Sequence, residues 1–166
     1  MSRVTPLFLD LVRVETRLYN AVGVRLRAEH GLTLGQFECL QIIDRVDGCR
    51  VLDLVAELAI TVGAASKAVD RLVAADWCVR VAHPHDRRSS VLRLTPEGEK
   101  VLAASGPVVE SALVSLTRTV SAADRKHLAT TLAALRANLE AGGQGQPGSS
   151  AIAPSVPLAE RSTPKS

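Results

Sequence analysis

The segment from Thr61 to Thr95 constrains the fold of this chain more than any other stretch. Its first half, up to Asp76, begins with small residues and continues with apolar residues at helical spacing, so it predicts an amphipathic helix. Its second half alternates apolar and polar residues on both sides of a charged turn, His83 to Arg88, which predicts a β-hairpin with a basic tip. This is the arrangement expected of a helix that enters a DNA groove, followed by a hairpin that touches the DNA backbone.

Basic residues are concentrated in the same segment. The whole chain has a formal net charge of +3 and a pI of about 9.0. This mild excess of basic residues is compatible with nucleic-acid binding but does not by itself indicate it. Within the segment six basic residues stand against three acidic ones, namely Lys67, Arg71, Arg80, Arg87, Arg88 and Arg93 against Asp70, Asp76 and Asp86. This excess equals the net charge of the chain, and basic groups gathered on one structural unit are expected of a phosphate-binding surface.

The residues before the segment predict three helices and the start of a fourth. Apolar residues at helical spacing predict a first helix that ends at Gly31. Thr33 and Gln36 have the spacing of a capping box, which marks the start of a second helix. A third, short helix is predicted over residues 51–58, and Thr61 is the expected N-cap of the fourth. Two helices joined by a short turn form a helix-turn-helix.

Two further helices are predicted after the hairpin. In Thr95-Pro96-Glu97 the threonine is a favourable N-cap, the proline suits the first helical position and the acid suits the positive end of the helix dipole. This fifth helix has a possible kink at Gly106-Pro107. Ser121 and Asp124 have capping-box spacing and predict the start of a sixth helix, which carries a stripe of leucines.

The length of 166 residues fits one domain, predicted over residues 1–140. Residues 141–166 are predicted to be a disordered tail, because they are mostly Gly, Pro and Ser with few large apolar groups. No apolar run approaches the roughly 20 residues that span a bilayer, and the N-terminus does not have the pattern of a signal peptide. The three cysteines are an odd number without a C-x-x-C motif, so a cytoplasmic, reduced protein with no membrane partner is predicted.

A longer motif indicates a family. Residues 86–98 read DRRSSVLRLTPEG, a D-R-R followed by five residues and then L-T-x-x-G. Together with VDRLV at residues 69–73 and AADW at residues 74–77, this motif resembles the wing and the flanking helices of the MarR family of winged helix-turn-helix regulators. The resemblance covers residues 5–140.

The resemblance implies a mainly α fold with a small β-hairpin wing. Residues 32–95 would form the DNA-binding lobe, and residues 5–30 and 96–140 would form long dimerisation helices. It also implies a homodimer that binds a pseudo-palindromic operator in double-stranded DNA. Most members of the family repress transcription and are released by a small-molecule effector, so a repressor of this kind is predicted.

The predicted DNA-contact residues lie on the fourth helix and the wing. They are Thr61, Gly63, Ala64, Ser66, Lys67, Arg71, Arg87 and Arg88. Small residues let a helix approach base edges, and an alanine can contact a thymine methyl group. Arg88 is predicted to enter the minor groove, where narrow A·T tracts attract guanidinium groups. Asp86 is predicted to brace the wing. An alternative for Arg71 is an ion pair with Asp70 or Glu57.

An effector pocket is expected, by resemblance, between the dimerisation helices and the DNA-binding lobe. The candidate lining residues are Val14, Leu18, Phe37, Leu40, Val108 and Val109. An apolar lining favours a hydrophobic or aromatic effector, although each of these residues could equally belong to the core. No cofactor is predicted beyond this unknown effector.

The alternatives to an effector-released repressor are a metal- or thiol-responsive regulator, a protein-binding winged helix and an enzyme. A metal-responsive regulator of the same fold, with zinc as its metal, would use Glu29, His30 and Glu38 as first candidates, and a thiol-responsive one would use Cys39, Cys49 or Cys78. A winged helix that binds proteins instead of DNA would lack the basic residues of the fourth helix and the wing. An enzyme is not predicted, because the sequence has no Gly-rich phosphate loop, nucleophile elbow or run of metal ligands.

Overall fold

In a computed structural model, residues 4–83 and 86–143 form helices and a β-hairpin in the predicted order. The elements are α1 (Val4–His30), α2 (Leu34–Arg45), α3 (Val51–Leu58), α4 (Val62–Ala74), β1 (Cys78–His83), β2 (Asp86–Leu94), α5 (Pro96–Leu116) and α6 (Ala122–Gly143). The prediction of a mainly α fold with a small β-hairpin is therefore confirmed. None of the helices within the described ranges is long and apolar enough to cross a membrane.

Side-chain caps begin four of these helices where the sequence predicts them. At the start of α2, the Thr33 hydroxyl accepts from the Gln36 N–H at 3.2 Å, and the Gln36 side chain accepts from the Thr33 N–H at 2.8 Å. The other three capped pairs are Thr61 with Ala64, Thr95 with Gly98, and Ser121 with Asp124. Each cap satisfies an N–H group that the helix itself leaves without a partner.

The core lies where α2, α3, α4 and the hairpin meet the C-terminal half of α1 and one face of α5. Its fully buried large side chains are aliphatic, and they include Leu26, Leu32, Leu40, Leu54, Leu72 and Leu92. Removing such side chains from water is the main favourable contribution to folding, at about 25 cal/mol per Å² of apolar surface. The core therefore fixes the position of α4 relative to the hairpin.

Two long apolar surfaces are left exposed in the single chain. The N-terminal half of α1 exposes Leu7 by 69% and Phe8 by 60%, and the buried residues of this helix are confined to its C-terminal half. Along α6 the predicted leucine stripe is exposed, namely Leu128, Leu132, Leu135 and Leu139. Large contiguous apolar surfaces that are exposed to water mark interaction sites.

The hairpin is longer than predicted. Strands β1 and β2 pair antiparallel from Cys78 opposite Leu94 to Ala82 opposite Ser90, and after a register shift His83 pairs with Asp86. The charged turn predicted over residues 83–88 was too long, because His83 belongs to β1 and residues 86–88 belong to β2. Residues 84 and 85 lie outside the described residues, as do the side chains of residues 83 and 86–89.

The wing joins α5 through a tight backbone contact. The Thr95 hydroxyl donates to the Asp76 carbonyl at 2.5 Å and accepts from the Gly98 N–H at 3.0 Å, while the Thr95 N–H donates to the Trp77 carbonyl at 3.2 Å. A Cβ on Gly98 would lie 2.0 Å from the Trp77 carbonyl oxygen. The threonine and glycine of the L-T-x-x-G motif thus fix the start of α5 against the residues that follow α4.

The C-terminal part differs slightly from the predicted boundaries. Helix α6 continues to Gly143, beyond the predicted end of the domain at residue 140. Helix α5 is one continuous helix that includes Pro107, and the possible kink at Gly106-Pro107 stays a prediction. The predicted tail from residue 144 onward lies outside the described residues.

Candidate nucleic-acid interface

Helix α4 has one buried face and one exposed face. Ala65, Val69 and Leu72 are fully buried and share one face, as their spacing of four and three residues requires. The exposed predicted contact residues are Thr61, Gly63, Ala64, Lys67 and Arg71, and Ser66 is half-buried beside them. The core therefore directs Gly63, Ala64 and Lys67 away from the protein, while Arg71 is exposed at the edge of a space between α1, α2, α3 and α4.

The exposed face of α4 has the dimensions of a groove-binding helix. Its 13 residues make a rod about 20 Å long, and a helix is roughly 10–12 Å across with side chains. The B-DNA major groove is about 12 Å wide and admits such a helix. Because Gly63 and Ala64 have small side chains, the first turn of α4 can approach base edges closely. Lys67 follows one turn later.

The rival ion pairs considered for Arg71 are made with other partners. Asp70 pairs with Arg80 of β1 at 2.7 Å, and Glu57 pairs with Arg45 at 2.7 Å. Among the side chains that the structure describes, Arg71 has no carboxylate oxygen within 4.0 Å. Arg71 and Lys67 thus remain available to a ligand, and Asp70, the acid between them, is neutralised by a neighbouring strand.

The Asp70–Arg80 pair was not predicted from the sequence. It joins the exposed face of α4 to the first strand of the wing, so it links the two parts of the candidate interface. Its side chains are 69% and 35% exposed, and exposed pairs contribute only about 0–1 kcal/mol to stability. The buried core, and not this pair, fixes the relative position of helix and wing.

The DNA contacts of Arg87 and Arg88 and the bracing role of Asp86 stay predictions. Asp86, Arg87 and Arg88 belong to β2 by their backbone. They directly follow the hairpin tip, which is where a minor-groove probe would have to be placed. The structure does not describe the side chains of these three residues.

A large apolar cavity of about 990 Å³ lies between α1, α2, α5 and α6. Of the predicted effector residues it contains Val14, Leu18, Phe37 and Val109. Leu40 and Val108 do not line it, and their place in an effector pocket stays a prediction. Leu40 faces the opposite way into the core, with 0% exposure, and Val108 packs against that core. We call this space the apolar cavity.

The metal candidates are not brought together. Glu29 pairs with Arg25 along α1 at 3.7 Å, while Glu38 lies on α2 and lines the apolar cavity. Residues 4–83 and 86–143 contain no group of three His, Cys, Asp or Glu side chains with the arrangement of a metal site. Glu29, His30 and Glu38 therefore do not form a zinc site within this chain.

All three cysteines are buried. Cys39, Cys49 and Cys78 are free thiols with at most 1% exposure, in α2, before α3 and at the start of β1. Burial is the main cause that raises the pKa of Cys39 and Cys49 to about 11, and it also raises the pKa of Cys78. Because thiolate is the reactive form, these environments do not favour thiol sensing.

This predicts slow thiol chemistry in the folded protein. With a pKa of about 11, less than about one thiol in a thousand is ionised at pH 7.5. Titration with a chromogenic disulfide reagent is expected to label the native protein far more slowly than the same protein in guanidinium chloride, where all three thiols react. Fast labelling of one native thiol would restore the thiol-responsive alternative.

Comparisons with known proteins show what this arrangement is similar to. The MarR family model matches residues 32–90, which include α2 to α4 and most of the wing. The multiple antibiotic resistance protein MarR of Salmonella typhimurium is 34% identical over 71 residues, 42% of this chain and 49% of that protein. The match thus spans about half the length of this relative. The uncharacterized HTH-type transcriptional regulator YdgJ of Bacillus subtilis is 26% identical over 118 residues, 71% of this chain and 72% of that protein.

Solved structures share the whole fold. A mutant E. coli MarR in complex with operator DNA has a TM-score of 0.73 at 23% identity, over 80% of this chain and 94% of that one. The transcriptional repressor CouR, bound to a 23-mer DNA duplex, has a TM-score of 0.71 at 28% identity, over 76% of this chain and 89% of that one. The family consists of transcriptional regulators, in agreement with the prediction that the chain is not an enzyme. The L-T-x-x-G motif, the sequence match over residues 32–90 and the shared fold together make this chain similar to the MarR family.

Proposed function

We propose that this chain is a sequence-specific DNA-binding transcriptional regulator that acts as a homodimeric repressor and is released by a small-molecule effector. The observation that carries the proposal is the exposed face of α4. In the described part of the chain, Lys67 and Arg71 of this face make no intramolecular ion pair. The wing beside them carries Arg87 and Arg88 at the start of its second strand. The DNA-bound structures of MarR and CouR support it as examples of the same fold on DNA.

The recognition unit would divide the contacts by element. Helix α4 would lie in the major groove, with Gly63 and Ala64 near base edges, Ser66 and Lys67 on bases or phosphates, and Arg71 on the backbone. Thr61 would continue to cap the helix at its DNA-facing end. The wing would place Arg88 in the adjacent minor groove and Arg87 on phosphate, with Asp86 bracing the hairpin.

The homodimer is supported by the exposed apolar surfaces of α1 and α6. A second copy of the chain would cover these surfaces, which cost free energy when they face water. Residues 5–30 and 96–140 would then be dimerisation helices, and residues 32–95 the DNA-binding lobe, within a domain of residues 1–140. Two α4 helices related by a dyad would require a pseudo-palindromic operator. The site of action would be the cytoplasm.

A binding assay with a wing variant tests the proposal. The full-length protein is titrated into labelled duplexes from the DNA upstream of its own gene, with fluorescence anisotropy as the readout and a scrambled duplex for comparison. Arg88→Ala is expected to weaken operator binding by about 1 kcal/mol or more, roughly fivefold, because a groove contact is lost.

Arg118→Ala is the matched control. Arg118 is an exposed arginine between α5 and α6, outside the recognition unit, and its substitution is expected to leave the affinity unchanged. Full operator affinity in both Arg88→Ala and Lys67→Ala would contradict the proposed function.

A further inference from the structure

The apolar cavity has an acidic side. Most of its lining is aliphatic, but three carboxylates also line it, those of Asp10, Glu15 and Glu38, and no Lys, Arg or His is among its described lining residues. The cavity is therefore apolar in most of its wall and negatively charged in the remainder, although the chain as a whole carries a net charge of +3.

Two of the three carboxylates lack a compensating cation. Asp10 pairs with Arg13 at 3.0 Å. Glu15 accepts only a hydrogen bond from the neighbouring Thr16 hydroxyl, at 3.2 Å, and Glu38 has no hydrogen-bond or ion-pair partner among the described side chains. Burial and then the nearby Glu15 carboxylate raise the pKa of Glu38, as expected of an acid that lacks a positive neighbour.

Aromatic rings stand beside these carboxylates. Tyr19 and Phe37 line the cavity and are two of the chain's four aromatic residues. Burial, followed by the charges of Glu38 and Glu15, raises the pKa of the Tyr19 hydroxyl, which places the phenol in the field of both acids. Aromatic faces attract cations, and the attraction is stronger where water is excluded.

We propose that the apolar cavity binds a lipophilic organic cation, with its charge held between Glu15 and Glu38 and its apolar body against Phe37, Val22 and Val109. The outer rim of the cavity, formed by leucines of α1 and α6, belongs to the surfaces that a second copy would cover, so the ligand would lie in the inner part beside α2 and α5. This inference rests on the proposed function and specifies the chemical class of the effector. It corrects the expectation of a merely hydrophobic or aromatic ligand, because an acidic effector of the same shape would meet two unpaired carboxylates.

The same carboxylates connect the site to the DNA-binding unit. Glu15, Tyr19 and Glu38 also line a second cavity of about 650 Å³, between α1, α2, α3 and α4, which includes Arg71. A cation at the shared wall would therefore interact with α1 and α2 at a place adjacent to α4. A ligand that binds better to one arrangement of these helices than to another shifts the population toward that arrangement, and this is how it would change DNA affinity.

Two probes of the same shape and opposite charge test the inference. Tetraphenylphosphonium and tetraphenylborate are titrated calorimetrically into the full-length protein without DNA. The cation is expected to bind at least about tenfold more tightly than the anion. Because the chain has a net charge of +3, non-specific attraction would favour the anion, so the expected preference cannot arise from overall charge.

Single-atom substitutions locate the site. Glu38→Gln and Glu15→Gln keep the shape of the side chain and are each expected to weaken binding of the cation about fivefold or more, because each removes a negative charge next to the bound cation. Glu110→Gln, at an exposed acid of α5 outside both cavities, is expected to leave it unchanged. No measurable binding of the cation, preference for the anion, or unchanged affinity in both Glu38→Gln and Glu15→Gln would overturn the inference.

The DNA experiment separates this inference from the proposed function. If the cation binds in a Glu38-dependent way while no duplex is bound specifically, the cavity assignment stands and the regulator assignment fails. If the operator is bound but the cation is not, the regulator assignment stands and this inference fails. Both hold if tetraphenylphosphonium weakens operator binding by the wild type and does so less for Glu38→Gln.

Discussion

Gly98→Ala is expected to lower the free energy of unfolding by about 3 kcal/mol or more. The new Cβ would lie 2.0 Å from the Trp77 carbonyl oxygen and 2.8 Å from its carbonyl carbon. These are backbone atoms held by the Thr95 hydrogen bond, so they cannot move aside as a flexible side chain can. Overpacking of a well-packed site costs roughly 1–3 kcal/mol, and more where the backbone has to shift.

The matched control is Gly23→Ala in α1. A Cβ there would meet nothing within 4 Å, and alanine is favoured over glycine in a helix by about 0.5–1 kcal/mol, so this variant is expected to be more stable than the wild type. Both are measured by urea unfolding at one protein concentration, because dimerisation contributes to stability. Equal effects of the two substitutions would contradict the account of the wing–α5 junction.

Lys67→Glu is expected to weaken operator binding about 100-fold at 0.1 M salt, close to 2.7 kcal/mol. The substitution removes a cation from the exposed face of α4 and places a carboxylate against phosphate, next to the existing carboxylate of Asp70. The slope of the logarithm of affinity against the logarithm of salt concentration should also become shallower by about one or more, since each neutralised phosphate releases counterions.

Lys126→Glu makes the same charge change on α6, outside the recognition unit. Lys126 is exposed and has no ion pair among the described side chains, so its substitution is expected to change operator affinity by less than about threefold. A similar loss in Lys67→Glu and Lys126→Glu would mean that overall charge, and not the α4 face, governs binding.

Local rules were sufficient for most of the secondary structure. Thr33, Thr61, Thr95 and Ser121 were predicted as caps from their own neighbourhoods, and each accepts the expected backbone hydrogen bond. Such interactions involve residues three positions apart, and their geometry depends little on the rest of the fold. Helix α3 was likewise predicted with its exact bounds, residues 51–58.

Features that depend on distant residues were harder to predict. The extension of β2 back to Asp86 depends on a register shift in the opposite strand. The Asp70–Arg80 pair depends on the angle between α4 and β1, and the assignment of Leu40 to the core depends on the rotation of α2 about its axis. The acidic side of the apolar cavity combines residues of α1 and α2, which the sequence pattern cannot place relative to each other.

The most direct test of the account is hydroxyl-radical footprinting of the wild-type protein and Lys67→Ala on the operator. The account predicts two dyad-related protected regions, with half-site centres about one helical turn or a whole multiple of it apart, and flanking minor-groove protection from the wings. Lys67→Ala should weaken both regions equally. A single protected region without a dyad, or protection that is unchanged in Lys67→Ala at the same protein concentration, would contradict the claim that two copies of α4 recognise the DNA.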